Sequence, residues 1–148
     1  MNEQEGHTLT TPASTRQAGA TANKALVLEF YERVLIGGDI DAADEYMRPD
    51  YIQHNPKVPG GLDGFKAYFK KLGERQKRLR ARAHQEISHV VAEGDFVVVF
   101  GSNKIKGLMS LNYRYADLFR IQDGRLAEHW DVLQGESLLD DIMLAIAS

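Results

Sequence analysis

Asp117, His129 and Asp131 fall within one segment, Tyr113–Gln134, among Tyr115, Phe119, Ile121, Trp130 and Leu133. Carboxylates and an imidazole set among apolar side chains suit general acid–base chemistry. Asp131 is the candidate base. Removing a proton beside a carbonyl needs a base of raised pKa, and desolvation raises that of a carboxylate. Asp117, if it keeps its proton, can hydrogen-bond to a developing enolate, and His129 can carry a proton near neutral pH. An acid on the inner face of a strand must be neutral, paired or hydrogen-bonded, because a bare buried charge is costly.

The segment reads as a β-hairpin closed at Asp123-Gly124, a strong turn signal. Two registers are open. A two-residue turn puts Asp117 opposite Trp130, with Asp131 on the other face. A three-residue loop, Gln122-Asp123-Gly124 with Gly124 left-handed, puts Asp117 opposite His129 and Tyr115 opposite Asp131. We favour the second, because Tyr115, Asp117, Phe119, Ile121, His129, Asp131 and Leu133 then share one face. The other face would carry Leu118, Leu126, Trp130 and Val132 beside Arg114, Arg120 and Glu128, which suits a partner subunit.

Further candidates lie upstream. His54 and Asn55 precede Pro56 at the end of an extended piece, and strand alternation turns one of the two inward. Either could orient a substrate carbonyl or a water. Tyr31 lies on the apolar face of a helix, where a core role competes with a substrate-binding one. The basic run Lys66–Arg82 reads as a solvated helix face, because its aromatics belong to the buried side and Glu74 interrupts it. Nucleic acid is not expected as a partner. The five histidines are scattered without metal-ligand spacing, so no metal site is expected. No nucleophile elbow or glycine-rich phosphate loop is present.

The elements that must position these groups follow from periodicity. Residues 1–20 carry almost no large apolar side chain and read as a flexible arm. A helix is expected from Asn23 to Ile36, with Val27, Phe30, Tyr31, Val34 and Leu35 recurring at helical spacing. Gly37-Gly38 stops it, and Asp39 can cap a short helix through Met47. Tyr51–Asn55 is extended, and Asp63 can cap a third helix carrying Phe65, Tyr68, Phe69 and Leu72. Strands follow from about Arg82. Among them Phe96–Phe100 reads as buried on both faces, Gly101–Gly107 as a polar bend, and Leu138–Ile146 as a terminal helix. Helices first and strands afterwards argue an α+β domain, 21–148, with helices on one sheet face.

Composition bounds the rest. A length of 148 residues with 43% hydrophobic content is enough for one domain with a real core. A net charge of −3 is too small to imply an acidic membrane or nucleic acid. The absence of cysteine excludes disulfides and a thiol nucleophile and fits a cytoplasmic protein. No apolar run is long enough to span a membrane, and the N-terminus lacks the pattern of a signal peptide.

The pieces Phe30-Tyr31, Gly38-Asp39, Tyr51-Ile52-Gln53-His54-Asn55-Pro56, Gly61-Leu62-Asp63-Gly64-Phe65, Asp117-Leu118-Phe119-Arg120, Asp123-Gly124 and Glu128-His129-Trp130-Asp131 resemble, in order and spacing, the SnoaL-like polyketide cyclases. These lie within the nuclear transport factor 2-like (ketosteroid isomerase-like) superfamily. The resemblance implies a conical barrel of the cystatin-like class: a curved antiparallel sheet wrapped around N-terminal helices, with an enclosed apolar pocket. It implies a small apolar ligand, a homodimer, no cofactor, and cyclase, isomerase or dehydratase chemistry. Asp131 looks like the general base of the cyclases, and Asn55 stands where they have an asparagine. Asp117 stands where the isomerases keep a protonated aspartic acid and the cyclases a histidine. Tyr31 falls near the isomerases' oxyanion tyrosine. The expected function is cofactor-free acid–base catalysis on an apolar carbonyl or hydroxyl compound, with Asp131, Asp117 and His129 catalytic and Asn55, His54, Tyr31, Phe119 and Tyr115 binding substrate. The alternative from another class is a non-catalytic ligand-binding module; a third reading is a dimerisation scaffold.

Overall fold

The computed structural model describes residues 13–107 and 110–146. Val27, Phe30, Tyr31 and Val34 are all essentially inaccessible to solvent. Their spacing puts them on one face of a helix, α1, which runs Ala13–Phe30 and continues through a π-helical turn, Tyr31–Ile36. The turn is marked by the Gly37 N–H, which donates to the Glu32 carbonyl at 2.9 Å. Such widened turns re-aim side chains and are frequent at functional sites. The helix starts well before Asn23, so Ala13–Ala20 of the expected arm is helical, and residues 1–12 lie outside the described residues.

A 3₁₀ turn, Ile40–Ala42, leads into α2, Ala43–Tyr46, and then β1, Met47–Gln53. Asp39 does not cap through its side chain; its carboxylate accepts from Arg33 Nε at 3.2 Å instead. Helix α3 spans Gly61–Arg78 with Gly60 at the cap position. Asp63 therefore sits inside the first turn, where a negative charge favours the helix dipole.

Four long strands follow: β2 Arg82–Glu93, β3 Phe96–Lys106, β4 Leu111–Gln122 and β5 Arg125–Gly135, then α4, Leu138–Ile146. The sheet order is β1-β5-β4-β3-β2. The β2–β5 meander is antiparallel, whereas β1 joins β5 in parallel. The expected curved antiparallel sheet is therefore present, with one parallel pairing at its edge. The sheet is curved but does not close, so the architecture is an open cone.

Helix α1 packs on the side of β3 that carries Val97 and Val99. This corrects the reading of Phe96–Phe100 as a strand buried on both sides. Val97 and Val99 are fully buried, but Phe96 and Phe100 remain 43% and 45% exposed on the convex face. Gly101–Lys106 continues β3 rather than leaving it.

Two features bend the sheet. The register shifts between Ile87 and His89, leaving Ser88 as an extra residue on β2. Opposite, Gly101 pairs with Ile87 on one side and Tyr115 on the other. A Cβ at Gly101 would overlap the Tyr115 hydroxyl and the Glu86 carbonyl oxygen, so only glycine lets the Tyr115 ring lie against the sheet. In contrast, a Cβ at Gly73, inside α3, would meet nothing within 4 Å.

The two glycines should respond with opposite signs. Gly101→Ala is expected to destabilise by about 1–3 kcal/mol through overpacking. Gly73→Ala should stabilise by about 0.5–1 kcal/mol through helix propensity. Urea titrations of both variants check this; a neutral Gly101→Ala would show that Tyr115 can move aside.

Candidate active site

The hairpin register places the site. Asp123 and Gly124 both have positive φ, 52° and 68°, which makes a tight two-residue turn. Gln122 pairs with Arg125 and Ile121 with Leu126, and the register then slips so that Arg120 pairs with Glu128. Ala127 is the extra residue, a bulge on β5, and it is buried. Neither expected register survives: Asp117 lies opposite Asp131, and Phe119 opposite His129. The bulge nonetheless restores the parity of the three-residue loop. Tyr115, Asp117, Phe119, His129, Asp131 and Leu133 all line the concave cavity.

Two carboxyls on facing strand positions repel one another, and each has its own partners. Tyr31 donates its hydroxyl to Asp117 Oδ2. His129 Nε2 lies 3.4 Å from Asp117 Oδ1. Its Nδ1 lies 2.9 Å from Gln53 Oε1. That oxygen also accepts the Asn55 backbone N–H, at 3.1 Å, while Gln53 Nε2 donates to the Tyr51 hydroxyl at 3.2 Å. The amide so oriented presents only an acceptor to His129, which makes Nδ1 the protonated nitrogen. Nε2 faces Asp117 Oδ1 across the 3.4 Å gap. On the other strand, Asn55 Nδ2 donates to Asp131 Oδ2 at 2.6 Å, and its own Oδ1 accepts from the Lys57 N–H at 2.8 Å. Asn55 is therefore held at both ends.

The environment separates the acids and the phenols in role. Burial raises the pKa of Asp131; the hydrogen bond from Asn55 and the charge of His129 oppose this, and Asp117 adds to it. Burial, then the negative charge of Asp117, pushes Tyr31 well above its ordinary value, so it remains a neutral donor. Tyr51 is raised in the same way.

The cavity measures about 750 Å³ and is partly open to solvent. Tyr51, Phe65, Phe69 and Leu133 supply apolar wall, while Gln53, Gln85 and Asn103 supply polar wall. The expected enclosed apolar pocket is thus an open one of mixed lining. Asn55 lines it, but His54 does not. The side chain of His54 projects to the convex face, where it stacks on Trp130 at 4.6 Å and bonds Glu128 Oε1 at 2.7 Å. Alternation along β1 allows only one of the two neighbours inside. Tyr31 also lies behind the cavity rather than on its wall; it is completely buried and reaches the site through Asp117.

Gln53, Gln85 and Asn103 were not anticipated. For Gln53 a signal existed, since Tyr51, Gln53 and Asn55 alternate and must share a face. Ligand atoms of Asp117, His129 and Asp131 lie within 4.8 Å of one another, so these three are the described residues that could hold a cation. The sequence sets the three on one face of a hairpin, but without the spacing of a metal-ligand motif.

Residues 27–129 match the family model described as the SnoaL-like domain. No curated protein matches the chain. Solved structures do. A protein assigned as a polyketide cyclase from Acidithiobacillus ferrooxidans is 23% identical over 86% of this chain and 96% of its own, with a TM-score of 0.65. TsrD from Streptomyces laurentii is 22% identical over 86% and 97%, with a TM-score of 0.66. An LEH-like epoxide hydrolase of M. tuberculosis is 16% identical over 78% and 80%, with a TM-score of 0.62. At these identities the likeness establishes the fold.

The raised pKa of Asp131 has a consequence for stability. In the unfolded chain this carboxyl ionises in the ordinary range, and in the fold it ionises at higher pH. Between the two values stability falls as pH rises, and above both the full cost of the buried charge is present. Asp131→Asn should therefore melt higher than the parent at pH 7, and its advantage should shrink as pH falls toward the carboxylate range. Thermal melts at pH 7 and pH 4 check this; an equal shift at both would mean that charge is not the origin.

Proposed function

We propose that this chain, which belongs to the SnoaL-like domain family, is a cofactor-free acid–base enzyme acting on a small apolar carbonyl compound. The observation that carries this reading is the facing pair Asp117 and Asp131, each fixed by different donors at the wall of one cavity. Asn55 occupies Asp131 Oδ2 and leaves Oδ1 for a substrate proton. Burial raises the basicity of that carboxylate, as proton abstraction beside a carbonyl requires.

In the proposed step the Cα–H bond breaks and its proton passes to Asp131. The electron pair moves onto the carbonyl oxygen. In this proposal the form that reacts carries one proton on His129 Nε2 or Asp117 Oδ1, and that proton hydrogen-bonds to the carbonyl oxygen as charge develops. The 3.4 Å separation is looser than an ordinary hydrogen bond, so this proton has a weak existing partner to leave. Tyr31 holds Asp117 from behind and is a positioning residue. Phe119 packs on the His129 ring at 4.7 Å and fixes its plane. Asp131 then returns its proton to the same carbon, to another, or to a leaving hydroxyl, which covers exchange, isomerisation and dehydration. Donors preorganised where charge develops are usually the largest catalytic contribution.

The test uses 2-tetralone, a planar ketone with acidic α-hydrogens. The protein should accelerate exchange of those hydrogens in deuterated water, followed by proton NMR. Asp131→Asn should lower that rate by about 100-fold or more. Full activity in this variant would overturn the mechanism. Tight binding without exchange would favour a non-catalytic ligand-binding module.

The convex face supports a second proposal, a homodimer. Val132, Ala116, Phe100 and His89 pair in one row across four strands, with Val132 71% exposed and Phe100 45% exposed. Arg114, Arg120 and Glu128 flank it, so a two-fold copy can set basic groups against acidic ones. Val132→Glu should shift the molar mass in light scattering from dimer to monomer without loss of folded signal; a parent that is already monomeric would remove the proposal.

A further inference from the structure

We propose that Tyr68, on helix α3, is a further catalytic residue that gives a proton to a leaving hydroxyl, so that the ligand is a β-hydroxy carbonyl compound and the reaction its dehydration. This deepens the acid–base reading and rests on it: Asp131 remains the base, and Tyr68 supplies the acid.

Phe65, Tyr68, Phe69 and Leu72 recur at the spacing of one helix face, and all four line the cavity. Phe65 is buried, whereas Tyr68 is half-buried. Its ring stands edge-on to Phe69, with centroids 5.2 Å apart and planes at 80°. That contact holds the ring and leaves the hydroxyl unused. The chain has six tyrosines. Five have their hydroxyls engaged: Tyr31 and Tyr46 donate to carboxylates, and Tyr51, Tyr113 and Tyr115 accept from side-chain amides. Among the described residues the Tyr68 hydroxyl alone has no hydrogen-bond partner. It is not shut in the core either, since the one buried side-chain polar atom without a partner among these residues is Asn103 Oδ1. A phenol O–H at a cavity wall with no protein partner is free to meet a ligand oxygen.

Its surroundings suit proton donation. Burial raises the pKa of Tyr68, and the negative charge of Asp131 adds to this, while Arg75 lowers it. The phenol is therefore protonated when the ligand arrives. Asp131 is the acid that acts on it, whereas Tyr31, Tyr51, Tyr113 and Tyr115 all feel Asp117. Tyr68 thus belongs to the Asp131 side of the acid pair. When Asp131 takes up a proton its charge disappears, and with it one of the two causes that hold the proton on Tyr68. Arg75 stays and favours the phenolate. Proton uptake by one group makes the other a better donor.

Of the outcomes open to the acid pair, exchange and isomerisation leave every oxygen in place. Dehydration alone expels one, and that oxygen needs a proton as its bond to carbon breaks. In the proposed step the Cα–H bond breaks and its proton goes to Asp131. The electron pair forms the Cα=Cβ bond, the Cβ–O bond breaks, and the leaving hydroxyl takes the Tyr68 proton and departs as water. The Tyr68 phenolate then regains a proton, and Asp131 loses one, through the open side of the cavity, which restores both groups.

The test uses two ketones that differ only in the hydroxyl, 4-hydroxy-4-phenylbutan-2-one and 4-phenylbutan-2-one. The wild-type protein should convert the first to its conjugated enone, followed by ultraviolet absorbance. It should exchange the α-hydrogens of the second in deuterated water, followed by proton NMR. Tyr68→Phe should lower the ratio of dehydration to exchange by about 100-fold, the scale of one general acid. Asp131→Asn should lower both rates. A ratio that does not move in Tyr68→Phe would overturn the proposal, whether both rates hold or both fall, the latter marking a structural role. Exchange without dehydration by the wild type would also overturn it and leave the acid–base reading standing. If the wild type does neither, that reading falls and this one with it.

Discussion

Two carboxyls brought face to face on neighbouring strands are the constraint around which this structure is arranged. Asp117 and Asp131 occupy paired positions, where like charges repel. The fold answers with separate partners from separate elements: Tyr31 from the π turn after α1 and Asn55 from the end of β1 donate hydrogen bonds, and the His129 ring on β5 stands beside Asp117. Each partner is in turn held. Gln53 fixes His129 and the backbone of Asn55 with a single oxygen. The widened turn that starts at Tyr31 puts its hydroxyl on Asp117, while Val27, Phe30 and Val34 anchor the same helix in the core. A polar network in a poorly solvated site is favourable only when its members are satisfied, which explains why so many elements converge here.

Much of this is legible in the sequence. The helix face at Val27, Phe30, Tyr31 and Val34 follows from period alone, and the Asp123-Gly124 turn from its residue types. The pairing of Asp117 was not legible, because the bulge at Ala127 depends on tertiary packing and alanine carries no local signal for it. The face assignment survived because a two-residue turn plus one bulged residue has the same parity as a three-residue loop. The side chains that line the cavity could thus be read while their partners could not.

Other misreadings have one common origin: a sequence shows polarity, whereas burial depends on which face is covered. Phe96 and Phe100 look like core but lie on the face of β3 opposite the buried Val97 and Val99, where they stay partly exposed. Gln85 and Asn103 look like solvent-facing strand residues, yet they line the cavity, where each donates to a tyrosine hydroxyl on β4. His54 and Asn55 show the same limit at single-residue scale. Alternation says that one points inward, and only the parallel pairing of β1 with β5 says which.

That pairing gives His54 a place in the site despite its position outside the cavity. Strand β1 is an edge strand, joined to the sheet by few paired positions, with a register break between Met47 and Ile52. On its outer side His54 stacks on Trp130 with the rings nearly parallel, and its Nε2 meets Glu128, which also accepts from Arg120 Nε at 2.8 Å. The His54 backbone N–H donates to the His129 carbonyl at 3.0 Å. The convex face thus clamps the last residues of β1 onto β5. Asn55 is the next residue, and its amide must reach Asp131 at hydrogen-bond distance. Precision at the acid pair therefore depends on contacts from both sides of the sheet: Gln53 from within and the His54–Trp130–Glu128 cluster from without.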